Sequence, residues 1–302
     1  MDDTLTFDIF GHFIISRKTI EFINQQGFGD QADSILANVV PFGDPQPLSI
    51  KLSIFQNHYY ICLTRFDRER DVGRGIIIDC TSISSDHTFQ RERLFPELKN
   101  ILSSDERFND SSRKKSLTLT PAKLEKLPLN FDIPNLDGFL FAILTHMPII
   151  LVGTHQEILV LFQMFAEVLP PRAIQNLTYV TQSASLAENV KVVGLPPKNA
   201  NLKVIQRKNN LTVTVVFISQ KKVFAPFTSK LCQKLANALR QNKFNQASML
   251  LIEFLELVEH HTEVNSEKDA MVMLNLNYSD AKLFLGIKNA LAGNPMGFMS
   301  FF

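Results

Sequence analysis

The sequence predicts a mixed α/β protein of two domains, and three observations carry that prediction. The chain has 302 residues, about twice a common single-domain size. Apolar runs of strand length alternate with helical patterns in both halves. Between the halves lies a polar, proline-punctuated stretch that reads as a linker. The resulting division is an N-terminal α/β domain over 1–103, a linker over 104–136 and a second α/β domain with closing helices over 137–302.

In the first domain, Leu5–Ile15 reads as a strand rich in Phe and Ile. Helical stretches are expected over Lys18–Gln26 and Gln31–Val40, the second stopped by Pro41. Leu48–Phe55 and Tyr59–Arg65 form a hairpin about Gln56-Asn57-His58. A charged loop, Arg65–Arg74, leads to a further strand, Gly75–Ile83. Asp86 can cap a helix over His87–Leu102, kinked at Pro96. This order gives one antiparallel sheet with flanking helices. In the linker, Thr120 and Pro121 start a short helix to Lys126.

The second domain opens with Leu140–Leu144, a buried helix end or strand, and a strand over Pro148–Val152. Thr154-His155-Gln156-Glu157 has the spacing of a capping box, which starts a helix running to Leu169. That helix is apolar on nearly all sides, as one sandwiched in a core would be. Strands follow at Leu177–Thr181, Val190–Val193, Leu202–Ile205 and Leu211–Ile218. Helices over Ser229–Gln241 and Asn245–His261 form a hairpin, and a last helix over Asp280–Leu291 is capped by Ser279.

Composition narrows the function. Hydrophobic residues make up 45% of the chain and the net charge is +1, so packed cores are affordable and no global field draws in nucleic acid. The longest apolar stretch, Gly138–Gly153, is shorter than the roughly 20 residues of a spanning helix and contains His146 and Pro148. It reads as core, with no transmembrane segment. Cys62, Cys80 and Cys232 are odd in number and widely spaced, and read as buried reduced thiols in a cytosolic protein.

The sequence contains no phosphate-binding glycine loop, nucleophile elbow or Cys-x-x-Cys pair. His260 with Glu256 and Glu259 matches no metal spacing and reads as a solvated helix end. His146 and His155 read as structural. No cofactor or metal is implied. Protein binding is therefore favoured over small-molecule chemistry.

Two features stand out. Arg65, Arg68, Arg70 and Arg74, followed by Arg91 and Arg93, concentrate guanidinium groups. Interleaved acids make a self-paired surface one reading. Phosphate recognition is the other, since the planar fork pairs two oxygens and keeps its charge. The apolar tail Met296–Phe302, with Phe298, Phe301 and Phe302, either packs on its own domain or meets a partner.

The segment Tyr59-Tyr60-Ile61-Cys62-Leu63-Thr64-Arg65, a charged turn and Gly73-Arg74-Gly75-Ile76-Ile77-Ile78 resemble the start of a DENN module. There such strands form a longin-like upper lobe. His87-Thr88-Phe89-Gln90-Arg91-Glu92-Arg93-Leu94-Phe95 is similar to the longin helix of folliculin-type DENN proteins. Pro148-Ile149-Ile150-Leu151-Val152-Gly153 resembles the central DENN strand, and Leu177–Val180 and Val190–Pro196 follow the family's order. The likeness spans about two thirds of the chain. GTPase-associated proteins of prokaryotic defence-type operons are similar in their strand phrases.

Both resemblances imply a regulator of small Ras/Rab-like GTPases, acting by GTPase activation or by nucleotide exchange, in the cytoplasm or on membranes through a partner. The folliculin-type likeness implies an arginine finger near the start of the longin helix, matched by Arg91 and Arg93, with Arg74 the alternative in a shifted register. From the arginine loop and the apolar tail themselves, Arg65, Arg68, Arg70, Phe298, Phe301 and Phe302 are the candidate partner-binding residues. The alternative function is a non-catalytic scaffold or adaptor among longin/DENN subunits.

Overall fold

A computed structural model gives the fold and describes residues 3–15, 20–22, 34, 49–55, 58–66, 76–84, 115–119, 130–174, 176–183, 190–199 and 213–293. The protein is mixed α/β, as the alternating patterns predict. It divides into two compact units, Met1–Lys126 with Thr178–Val190, and Leu127–Leu177 with Lys191–Phe302. The first unit is thus discontinuous in sequence, unlike the single N-terminal block read from composition.

The first unit contains β1 (Asp3–Ile15), β2 (Ile20–Phe22), β3 (Ile50–Phe55), β4 (His58–Phe66), β5 (Ile76–Ser84) and β6 (Lys115–Leu119). Every pairing among them is antiparallel, in the order β3-β4-β5-β1-β2. β1 is long because it changes partners. Residues 3–7 pair with β6 and residues 8–15 pair with β5, with a register shift between Ile9 and Gly11. Such a bulge bends a strand where its pairing changes.

Three sequence readings meet the structure here. The β3–β4 hairpin is present, its last pair Phe55↔His58 closing about a two-residue connection. Ile20–Phe22, read as part of a helix, is instead a strand on β1. Ile-Glu-Phe has period-two alternation, and three residues are too few to show a helical repeat. Lys115–Leu119, inside the stretch read as a linker, forms β6. The helix over His87–Leu102 lies outside the described residues, as does the one over Pro121–Lys126. Of Gln31–Val40 only Ser34 is described, and it is helical.

The second unit begins with α1 (Leu136–Leu144), which is buried nearly throughout. β7 (Ile149–Val152) follows, buried at every position. The capping box holds the start of α2 (His155–Val168): Thr154 accepts from the Glu157 amide and Glu157 accepts from the Thr154 amide. Pro170 ends α2, and α3 (Pro171–Ile174) is a single turn. The chain next supplies β8 (Tyr179–Val180) to the first unit, antiparallel to β3.

β9 (Val192–Leu195) and β10 (Thr214–Phe217) then flank β7, both parallel to it. All three are continuously buried, the pattern of parallel strands covered on both faces. β9 lies two residues beyond the Val190–Val193 run. β11 (Lys222–Phe224) folds back antiparallel on β10, through a turn with Lys221 at φ 49°. The run Leu202–Ile205 lies outside the described residues.

Helices close the unit: α4 (Lys230–Arg240), α5 (Phe244–His260), α6 (Glu267–Met273) and α7 (Tyr278–Leu291). Asn242, at φ 56°, makes the sharp turn between α4 and α5. Their apolar stripes meet in a helical core. Phe254 of α5 lies edge-on to Phe284 of α7, with ring centroids 6.5 Å apart. Each buried ring of this kind contributes roughly 1.5–3 kcal/mol. Asn277, not Ser279, caps α7: its Oδ1 accepts from the Asp280 amide at 3.1 Å, while the Ser279 hydroxyl donates to that same Oδ1.

Candidate functional site

Within the second unit, α2, the carboxyl end of β10 and β11 line an open pocket of about 220 Å³. Val160, Leu161 and Met164 of α2 line one wall, with Val216 and Ile218 from the end of β10 and Val223 of β11 opposite. The α2 residues lie three and four apart and so share one face of the helix.

Glu157, Lys221 and Asp132 at the rim are each engaged by a partner. Glu157 accepts from the Thr154 amide at 2.7 Å, the Thr154 hydroxyl at 2.9 Å and the Ser219 hydroxyl at 2.9 Å. The amide bond, above all, holds its carboxyl below the usual carboxylate range. Glu157 is therefore an anchored carboxylate and a poor proton donor. Gly153 allows this packing, since a Cβ there would sit 3.1 Å from Ile218 and 3.2 Å from the Glu157 carboxylate. Lys221 and Asp132 pair at 3.1 Å, both well exposed. The pocket thus offers apolar walls beside an anchored carboxylate and an exposed ion pair, suited to binding an apolar group.

The first unit holds a different arrangement. Ser49, Lys51 and Ser53 lie on one side of the β3 segment and Ile50 and Leu52 on the other, yet all five are buried. On β4, Tyr60 stands opposite Ser53 and Cys62 opposite Lys51. Both are buried, and Val180 of β8 stands on the other side of Lys51. Burial pushes the Lys51 amine down to about 7. It also raises the Tyr60 hydroxyl. The Ile50 amide donates to the Thr181 hydroxyl at 2.9 Å, tying β3 to the segment after β8.

Cysteine chemistry departs from the sequence expectation. Cys62 is buried but disulfide-bonded, so it is not a reduced thiol. Cys232 is free and buried in α4, where burial pushes its thiol up to about 12. Spacing along the sequence conceals cross-strand proximity, which the pairing register creates.

Of the sequence-predicted site residues, Arg65 falls in β4, opposite Ile77 of β5. Its side chain, and Arg68, Arg70, Arg74, Arg91, Arg93, Phe298, Phe301 and Phe302, lie outside the described residues. Glu259 pairs with Arg172 at 3.0 Å, and His260 Nδ1 lies 2.7 Å from the Glu256 carbonyl. Among the described residues no group of three or more His, Cys, Asp or Glu side chains converges as for a metal ion. Among them also, no helix is long and apolar enough to cross a membrane. His146 is buried at φ 51°, with Nε2 3.4 Å from the Ala173 carbonyl.

Lys51 was missed because a strand of alternating polar and apolar residues reads as half-exposed. No known family model matches the chain, and no curated protein matches it either.

Proposed function

We propose that this chain regulates small Ras/Rab-like GTPases through protein–protein binding, by stimulating GTP hydrolysis or nucleotide exchange. The observation that supports the reading is the sheet of the first unit. Its strands β3-β4-β5-β1-β2 are antiparallel throughout, the architecture a longin-like lobe requires. The pocket of the second unit agrees with a binding role, because its walls are apolar and Glu157 is already engaged.

The test measures GTP hydrolysis and nucleotide release by a panel of small GTPases with the wild-type chain and with Arg91→Ala, Arg93→Ala and Arg74→Ala. An arginine finger predicts that one of these substitutions slows stimulated hydrolysis on the order of a thousandfold. Stimulated exchange that is insensitive to all three selects the exchange mode. No binding to any small GTPase overturns the proposal.

A scaffold or adaptor role is the second reading. It is favoured by the apolar exposure of α6, where Met271, Val272 and Met273 face solvent together with Tyr278 at the start of α7. Truncation at Asn294 tests it: complex formation that needs the Phe-rich tail but none of the arginines selects the scaffold.

A further inference from the structure

The proposed function requires no ligand in the pocket of the second unit, yet Glu157 lines that pocket as a fixed anion. Its Oε2 accepts from the Thr154 amide and the Thr154 hydroxyl, and its Oε1 accepts from the Ser219 hydroxyl. A carboxylate oxygen takes two donors, so Oε1 has room for one more. These donors and a little burial set its acidity, with no cation beside it among the described residues. Next to it stand the apolar side chains of Val160, Leu161 and Met164, with Val216, Ile218 and Val223 opposite. We propose that this pocket binds a small free amine, a protonated ammonium group carried on one ring or a short alkyl chain. The ammonium donates to Glu157 Oε1, and the apolar part lies between α2 and the β10–β11 ribbon.

Charge complementarity selects a cation. Lys221 and Asp132 pair at 3.1 Å and are well exposed, so together they add no net charge. Lys222 of β11 also borders the pocket. It is the register partner of Phe217, and the Phe217 ring meets Phe224 on that side of the ribbon. Successive strand residues alternate sides, so the Lys222 side chain leaves from the face opposite Val216 and Val223. The charge facing the apolar walls is therefore that of Glu157. An ammonium there makes a charge-assisted hydrogen bond while its apolar part leaves water. A bare ammonium ion gains little at so exposed a rim, so the apolar part is needed for binding.

Size selects the class of amine. The pocket holds about 220 Å³. A cavity of roughly 150 Å³ takes benzene, and pockets for drug-sized ligands run to roughly 300–1,000 Å³. One ring with a two-carbon arm matches the space between these limits. The hydrogen bonds that hold Glu157 fix its carboxylate before a ligand arrives, which lowers the ordering cost of binding. The same bonds, the Thr154 amide above all, keep its carboxyl below the usual range. The site therefore remains anionic at mildly acid pH.

The experiment titrates the full chain with phenethylamine, phenethyl alcohol and phenylacetate, following binding by ligand-observed NMR. The amine should bind about tenfold more tightly than the alcohol, with the carboxylate weakest, and this order should persist at about pH 5. In Glu157→Gln, which can preserve the capping box, the amine should lose about tenfold in affinity and the alcohol should be unchanged. Val160→Phe, which fills the pocket from its wall, should weaken both. Equal affinity for amine and alcohol, preference for the carboxylate, or no binding of any probe overturns the proposal. So does unchanged amine binding in Glu157→Gln or in Val160→Phe. A peptide with an amino-terminal phenylalanine is the remaining arm, and tighter binding of that peptide than of the free amine overturns the assignment to a small molecule. If Glu157→Gln does not fold, the order of the three probes on the wild type decides. No GTPase enters the assay, so its failure leaves the GTPase proposal standing.

Discussion

β3 and β7 are both buried strands, yet they are built from opposite materials. β7 is Ile149-Ile150-Leu151-Val152, apolar at every position, with parallel neighbours on both sides. The β3 segment alternates Ser49, Ile50, Lys51, Leu52 and Ser53 and is equally buried. The comparison teaches that burial follows from what covers a strand, while composition records what the covered face must do. β7 is covered to pack. β3 carries a buried lysine between two buried serines, a polar row that packing alone would not select.

The largest expected effect comes from moving the polar material of β3 into β7. Leu151→Lys buries an ammonium with no counter-charge and removes a packed side chain, a loss on the order of 5 kcal/mol or more. Hydrogen exchange should show the protection of β7, β9 and β10 collapsing. If those strands stay protected, the contrast between the two strands fails.

The second effect is a pH dependence carried by Lys51 of β3. Folded Lys51 titrates near 7, against 10.5 for a free lysine side chain. Between these values the unfolded chain binds more protons, so the burial penalty is full below the folded value and disappears as pH rises through the window. Relative to Lys51→Met, the wild type should gain at most about 4 kcal/mol between pH 7 and pH 10. Denaturant unfolding of both proteins at the two pH values measures it, and parallel curves would break the comparison.

The smallest pair of effects separates satisfied from unsatisfied polar atoms on β3. Thr181→Val leaves the buried Ile50 amide without its acceptor and should cost about 1–3 kcal/mol. Ser53→Ala removes a buried hydroxyl that has no hydrogen-bond partner among the described residues, and stability should stay within about 0.5 kcal/mol or rise. Thermal unfolding of the two variants side by side gives the order.

Much of this architecture is legible in the residues. The capping box Thr154–Glu157, the β3–β4 hairpin and the apolar run of β7 each signal themselves through spacing or period. Other elements depend on partners far along the chain. Ile20–Phe22 is a strand because β1 is beside it, and Val180 joins the first unit because β3 presents an edge. β11 has only three residues and is created by its turn. α6 was legible and overlooked: Ser266 caps it by accepting from the Asp269 amide, a Ser-x-x-Asp signal. The arginines and the Phe-rich tail are legible in composition, and their side chains lie outside the described residues. The Lys51–Cys62 row was hidden, since only strand register brings those residues together.

The discontinuity of the first unit bears on how the protein is made. As the chain leaves the ribosome, β3 and β4 can pair at once, but the other edge of β3 gains its partner only when β8 is synthesised, more than a hundred residues later. Until then the Ile50 and Leu52 backbone stays an open template for a neighbouring nascent chain. Premature termination before Thr178 would make that vulnerable interval permanent, so ribosome-stalled fragments are where aggregation of this protein should begin.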